Sequence, residues 1–178
     1  NNLLFIYNEL MDYDVYYDMK LPLEFICYGI TDGKMYKHFR NNSVFILPLG
    51  NDKLWGNSKV YGALFLCKDI NFYINILDAY HACSKDKLRR NHIKDIHHRE
   101  EVLVTPIYFN TLDDLSRLKY REGSEVIATT YFGNPNHPKI KQRFVTTKNY
   151  RIVDGIYVKY YKKLFRRVNN GNWLCNGF

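Results

Sequence analysis

Val60-Tyr61-Gly62-Ala63-Leu64-Phe65 is followed, after a break at Lys68-Asp69, by a segment that ends Leu77-Asp78-Ala79-Tyr80-His81. The first stretch is an apolar run of strand length, which predicts a strand buried on both faces. Gly62 inside it predicts a bulge or a close backbone approach. In the second, Ile70, Tyr73, Ile74, Leu77 and His81 fall at i, i+3, i+4, i+7 and i+11. That spacing lines one face of a helix, and the face ends in an imidazole. Asp69 is the expected N-cap. A buried strand running into a short amphipathic helix calls for a sheet with a helix packed on it.

The rest of the composition narrows the class without naming a function. The chain has 178 residues, of which 46% are hydrophobic and 16% aromatic, which suits one domain, 1–178, with a single core. No apolar run approaches the roughly 18–20 residues needed to cross a bilayer, so no transmembrane segment is expected. Leu3 to Tyr7 is apolar but short, and Glu9, Asp12 and Asp14 follow at once, so it does not read as a signal peptide. Cys27, Cys67, Cys83 and Cys175 are isolated, with no CxxC. Reduced thiols in a cytoplasmic protein fit this better than a disulfide framework or a zinc site. The wealth of Asn, Tyr and Lys is that of an AT-rich coding sequence, as in some viruses, which would make the compartment the host cytoplasm. The net charge of +8 permits nucleic acid, anionic lipid or an acidic protein as partner and selects none.

Other elements follow from local signals. Leu3-Leu4-Phe5-Ile6-Tyr7 reads as a central strand, left through Asn8-Glu9-Leu10 into an acidic, Tyr-rich loop. Phe25 to Ile30 and Lys34 to Lys37 flank Thr31-Asp32-Gly33, a hairpin signal. Val44 to Leu49 and Glu125 to Phe132 read as strands, and so does Glu101 to Thr105, which leads to Pro106. Residues 83–98 read as an exposed basic loop, and Asn110 to Tyr120 as a short helix or turn. Tyr157, Tyr160, Tyr161, Leu164 and Val168 form an apolar stripe, with Lys159, Lys162, Lys163, Arg166 and Arg167 on the other side. This predicts a basic C-terminal helix.

The order of these pieces resembles the gamma-glutamylcyclotransferase-like (AIG2-like) family. There, a first strand ends in a Tyr-Gly-x-x loop, here Tyr7-Asn8-Glu9-Leu10. A Gly-bearing hairpin followed by a Pro is matched loosely by Gly29 and Pro48. A Val-x-Gly-x-Leu strand is matched by Val60 to Leu64. A helix with Leu-Asp-x-x-Glu is matched by Leu77 and Asp78, with His81 in the Glu place. An Arg-x-x-Val-x-Val strand is matched by Arg99 to Val104, and an Ala-x-x-Tyr strand by Ala128 to Tyr131. The likeness covers residues 3–133 and leaves 134–178 as an extension. It implies an α+β fold: a mixed β-barrel and sheet with few short helices. It also implies 5-oxoproline formation from gamma-glutamyl amines or peptides, with no cofactor and no metal. The substrate's α-amine attacks its own γ-carbonyl, so proximity is built in. The protein must take the amine proton and stabilise the oxyanion. By resemblance, Tyr7, Asn8, Glu9, Leu10, Gly62 and Tyr131 would line the substrate site.

Two positions depart from the pattern. Asn8 stands for Gly, and Asn is the residue that best replaces Gly in left-handed geometry. His81 stands for the Glu that moves the proton. An imidazole can act as a base, with an ordinary pKa near 6.5. Glu9, in the same loop, is the carboxylate that could act in its stead. Glu100 and Glu101 are adjacent on a strand, so alternation lets only one face inward. Asp78 lies three residues from His81, within reach to hold an imidazole tautomer, although an ordinary helix pair is the commoner meaning of that spacing. His92, His97, His98 and Asp95 do not have helical metal-ligand spacing and read as a solvated loop.

Two functions of different class remain open. One is a cyclotransferase-type enzyme acting on a small gamma-glutamyl compound, with His81 or Glu9 as base. The other is a non-catalytic binding or assembly protein that keeps the fold. It would meet a protein or nucleic-acid partner through the basic stretch from Lys85 to Arg99 and the helix from Tyr157 to Val168.

Overall fold

The computed structural model describes residues 2–38, 44–47, 59–81, 97–108, 124–134 and 150–153. Within them are eight strands: β1 Leu3–Ile6, β2 Leu23–Asp32, β3 Lys34–His38, β4 Val44–Leu47, β5 Lys59–Cys67, β6 His97–Tyr108, β7 Val126–Gly133 and β8 Tyr150–Val153. The helices are α1 Tyr13–Asp18 and α2 Ile70–Tyr80, with a 3-10 turn at Glu9–Met11. Five strands close into a barrel in the order β1-β5-β2-β6-β7, and β4-β3-β8 make a separate three-stranded sheet. The architecture is the expected α+β mixed barrel and sheet with few short helices. The anticipated helices at 110–120 and 157–168 lie outside the described residues.

The apolar runs form the barrel core. Leu4, Phe5 and Ile6 of β1 are all buried, as are Ala63, Leu64 and Phe65 of β5. Burial on both faces is what a run without alternation requires. These two strands pair antiparallel from Leu3↔Leu66 to Ile6↔Ala63. β1 also pairs with β7 in parallel at Leu4↔Thr129, and this seam closes the barrel. The Thr130 hydroxyl donates across the seam to the Phe5 carbonyl at 2.8 Å.

Gly62 is a close approach and not a bulge. A Cβ there would lie 2.6 Å from the Ile6 carbonyl oxygen and 2.6 Å from Phe5 Cζ. The bulge falls instead in β2, between Phe25 and Cys27. α2 buries Ile70 and Leu77 and half-buries Tyr73 and Ile74, so the predicted face packs inward.

Several local expectations change. Thr31-Asp32-Gly33 is not a hairpin: β2 pairs with β5 and β6, whereas β3 pairs with β4 and β8. Gly33 therefore turns the chain from the barrel into the second sheet. Residues 9–18 are helical and not a loop, because two side chains cap them: Asn8 accepts from the Leu10 N–H and Asp12 from the Asp14 N–H. Asp69 occupies the N-cap position of α2, but in left-handed geometry (φ 56°), and its side chain makes no cap hydrogen bond. His97 and His98 belong to β6, not to a basic loop, and β6 runs through Pro106 to Tyr108. Proline has no N–H for the ladder, and the β2–β6 register shifts beside it, between Tyr28 and Gly29.

Candidate functional site

Three elements converge where β1 ends. Tyr7 and Asn8 leave β1, α2 delivers His81 at its C-terminal end, and β7 contributes Thr130 and Tyr131. Leu10, Leu77 and the β1 side of the barrel also line the site. The cavity among them holds about 10 Å³, room for about one water.

His81 is buried, and both of its ring nitrogens are engaged by the protein. Nδ1 lies 2.8 Å from the Leu77 carbonyl oxygen, which can only accept, so Nδ1 carries the proton. Nε2 lies 3.2 Å from Asn8 Nδ2. The Asn8 amide is oriented by its other end, because Oδ1 accepts from the Leu10 N–H at 3.1 Å. Asn8 therefore donates to the His81 lone pair, and the neutral ring is fully satisfied. The Tyr131 ring stacks on the imidazole at 3.8 Å, 6° from parallel. Burial, with His97 nearby, lowers the His81 pKa to about 3, against a smaller opposing effect of the Leu77 carbonyl.

Asp78 does not pair with His81. It is 1% exposed, accepts from the Tyr131 hydroxyl at 2.7 Å and is ion-paired with Arg99 Nη1 at 2.6 Å. The role foreseen for Asp78, holding the imidazole tautomer, falls to the Leu77 carbonyl one helical turn back. Arg99, which heads the Arg-x-x-Val-x-Val match and ends the basic stretch, is the counter-ion of a buried carboxylate. Asn8 is not in left-handed geometry: its φ of −110° and ψ of −164° are extended, a conformation open to any residue. What distinguishes this position is the side chain.

The other candidates sit as follows. Glu9 is half-buried and accepts from the Tyr80 hydroxyl at 2.6 Å. The Tyr7 hydroxyl donates to the Tyr131 carbonyl at 2.5 Å, and burial pushes that phenol above its ordinary range. Gly62 lies on β5 against Phe5 and Ile6 and does not line the cavity. Glu100 and Glu101 are both exposed, so neither points inward as alternation allowed. His97 Nδ1 donates to the His81 carbonyl at 2.7 Å. No cluster that could hold a metal occurs among the described residues; His92 and Asp95 lie outside them. A larger open cleft of about 440 Å³ at the start of α2 is lined by Asn2, Asp69, Ile70, Asn71, Phe72 and Tyr73. It holds no His, Lys or Arg.

No protein-family model matches the chain, and no curated protein matches it by sequence. Solved structures do. An AIG2-like protein from Mus musculus superposes with a TM-score of 0.53 at 16% identity, covering 79% of this chain and 82% of that one. A gamma-glutamyl cyclotransferase structure gives a TM-score of 0.46 at 15% identity over 99% of this chain and 89% of its own. An Arabidopsis thaliana protein gives 0.49 at 14% over 97% and 89%. At such identities the likeness speaks for the backbone arrangement and not for the chemistry. The superposition on the Mus musculus AIG2-like protein, with the closed five-stranded barrel, shows that this chain has the gamma-glutamylcyclotransferase-like (AIG2-like) fold.

Proposed function

We propose that this chain is a non-catalytic protein on a gamma-glutamylcyclotransferase-like fold, a binding or assembly protein without cyclotransferase chemistry. The observation that carries this reading is the double engagement of the His81 ring. A general base needs a lone pair within reach of the proton it takes and a pKa near the working pH. The His81 lone pair is held by Asn8, and its pKa of about 3 makes it a poor acceptor at neutral pH. Glu9 is tied to Tyr80. A cavity of about 10 Å³ has no room for a gamma-glutamyl group.

The reading takes a protein or nucleic-acid partner, met through the basic stretches 85–99 and 157–168, and cytoplasmic residence. The net charge of +8 supports the first, and the buried free thiols of Cys27 and Cys67 support the second. The test is 5-oxoproline release from a panel of gamma-glutamyl amines and peptides across several pH values. The expected outcome is no release above the uncatalysed rate. Release that is abolished by His81→Ala would overturn the reading.

A further inference from the structure

We infer that the outer face of β6 and β7 around Leu103 and Ile127 is a docking surface for this chain's own segment 157–168. Leu103 and Ile127 are paired across the two strands, and they are 55% and 51% exposed. Val104 and Ala128 are fully buried in the barrel, so by alternation Glu101, Leu103, Ile127 and Thr129 share the outer face. A helix already covers one end of that face. Arg99 and Tyr131, a pair further along the same ladder, are held there by Asp78 of α2. The Leu103–Ile127 pair lies past this cover. A sheet face that carries exposed apolar side chains calls for an element to bury them.

Charge and reach name the occupant. The exposed charges beside the pair are acidic: Glu101 on β6 and Glu125 just before β7. Arg99, the one Lys or Arg within β6 and β7, is committed to Asp78. An apolar pair rimmed by carboxylates fits an apolar stripe bordered by cations. The segment 157–168 lies outside the described residues, and its sequence has that pattern. Tyr157, Tyr160, Tyr161, Leu164 and Val168 fall on one helical face, and Lys163 and Arg167 border it. Lys159, Lys162 and Arg166 fall on the far side, open to a partner. The chain also leaves β8 close to the pair. The Thr31 hydroxyl donates to the Leu103 carbonyl at 2.8 Å. Met35, four residues on from Thr31, pairs with Val153 at the end of β8. Four residues span at most about 14 Å, and only 154–156 separate Val153 from Tyr157. A helix over 157–168 would be about 18 Å long, enough to lie along the pair. The docking does not depend on the absence of catalysis: 5-oxoproline release would overturn the proposed function and leave this inference standing.

The test is backbone hydrogen exchange of the full chain, wild type against Leu103→Thr combined with Ile127→Thr. Threonine keeps the β-branched shape that a strand favours and removes the apolar surface. In wild type the amides of 157–168 are expected to exchange more slowly than in an open chain. In the double variant they should exchange faster by about tenfold or more, while β1 and β5 keep their protection. Open-chain exchange of 157–168 in wild type overturns the inference, and so does protection that the double variant leaves unchanged. Protection that rises with protein concentration assigns the face to a second copy and also overturns it. If β1 and β5 lose protection in the double variant, Glu101→Lys combined with Glu125→Lys decides, since it keeps the apolar pair. Faster exchange of 157–168 at low salt is then expected, and unchanged exchange overturns the inference.

Discussion

Taking the His81 imidazole out of water penalises its charged form, so the unfolded chain binds that proton near pH 6.5 and the folded chain only near about 3. The sign of the linkage follows. Above about pH 6.5 neither state is protonated and the contribution to stability is complete. As the pH falls from about 6.5 toward about 3, the unfolded state gains a proton that the folded state refuses, and stability drops by up to about 1.4 kcal/mol per pH unit. Urea denaturation of wild type and His81→Phe at pH 7 and pH 5 should show this: the variant loses less stability on acidification than wild type does. Equal losses would mean that His81 titrates alike in both states. The position of His81 on the inward helix face was legible from spacing alone. Its state was not, because the lone pair is taken by Asn8, a residue 73 positions away.

Between elements, α2 is tied down by Asp78, which reaches Arg99 on β6 and the Tyr131 hydroxyl on β7. Removing one partner of such a pair leaves an uncompensated buried charge. Asp78→Ala is expected to cost about 3–5 kcal/mol, read as a lowered urea midpoint with loss of α2 signal. On the other side of the barrel, Gly62→Ala places a methyl group against the Ile6 carbonyl and the Phe5 ring. A backbone atom is one of the clashing groups, so relaxation is limited and a loss of about 1–3 kcal/mol is expected in the same assay. Gly62 was legible as either a bulge or a close approach, because glycine inside an apolar strand has few other uses; only the strand register chose between them. The hairpin expected at Asp32-Gly33 was not borne out, since local turn chemistry bends the chain but does not say which sheet the next strand joins. The helical turns at 9–18 were hidden by a tyrosine- and aspartate-rich composition typical of loops, although the caps Asn8 and Asp12 were there to be read.

For the molecule as a whole, the barrel exists because β1 meets β7, the most distant strand of that sheet in sequence. The seam depends on the parallel pair Leu4↔Thr129 and on the Thr130 hydroxyl bound to the Phe5 carbonyl. Thr130→Val keeps the shape and leaves that carbonyl without its donor, so a loss of about 1–2 kcal/mol is expected from equilibrium denaturation. Motif order made the fold readable despite the low identity to solved structures, since each apolar run marks a strand wherever it pairs. The chemistry was not readable in the same way, because a motif position says where a side chain sits and not what already holds it. The claim on which the functional reading turns is that the His81 ring is neutral, closed and unable to act as a base. Its most direct test is nitrogen-15 NMR of the His81 ring nitrogens as the pH is lowered through the range in which the protein stays folded. The result predicted is one neutral tautomer, protonated on Nδ1, with no titration until the pH nears about 3. A ring that titrates between about pH 6 and 7, near the ordinary histidine value, or one that carries its proton on Nε2, would contradict it.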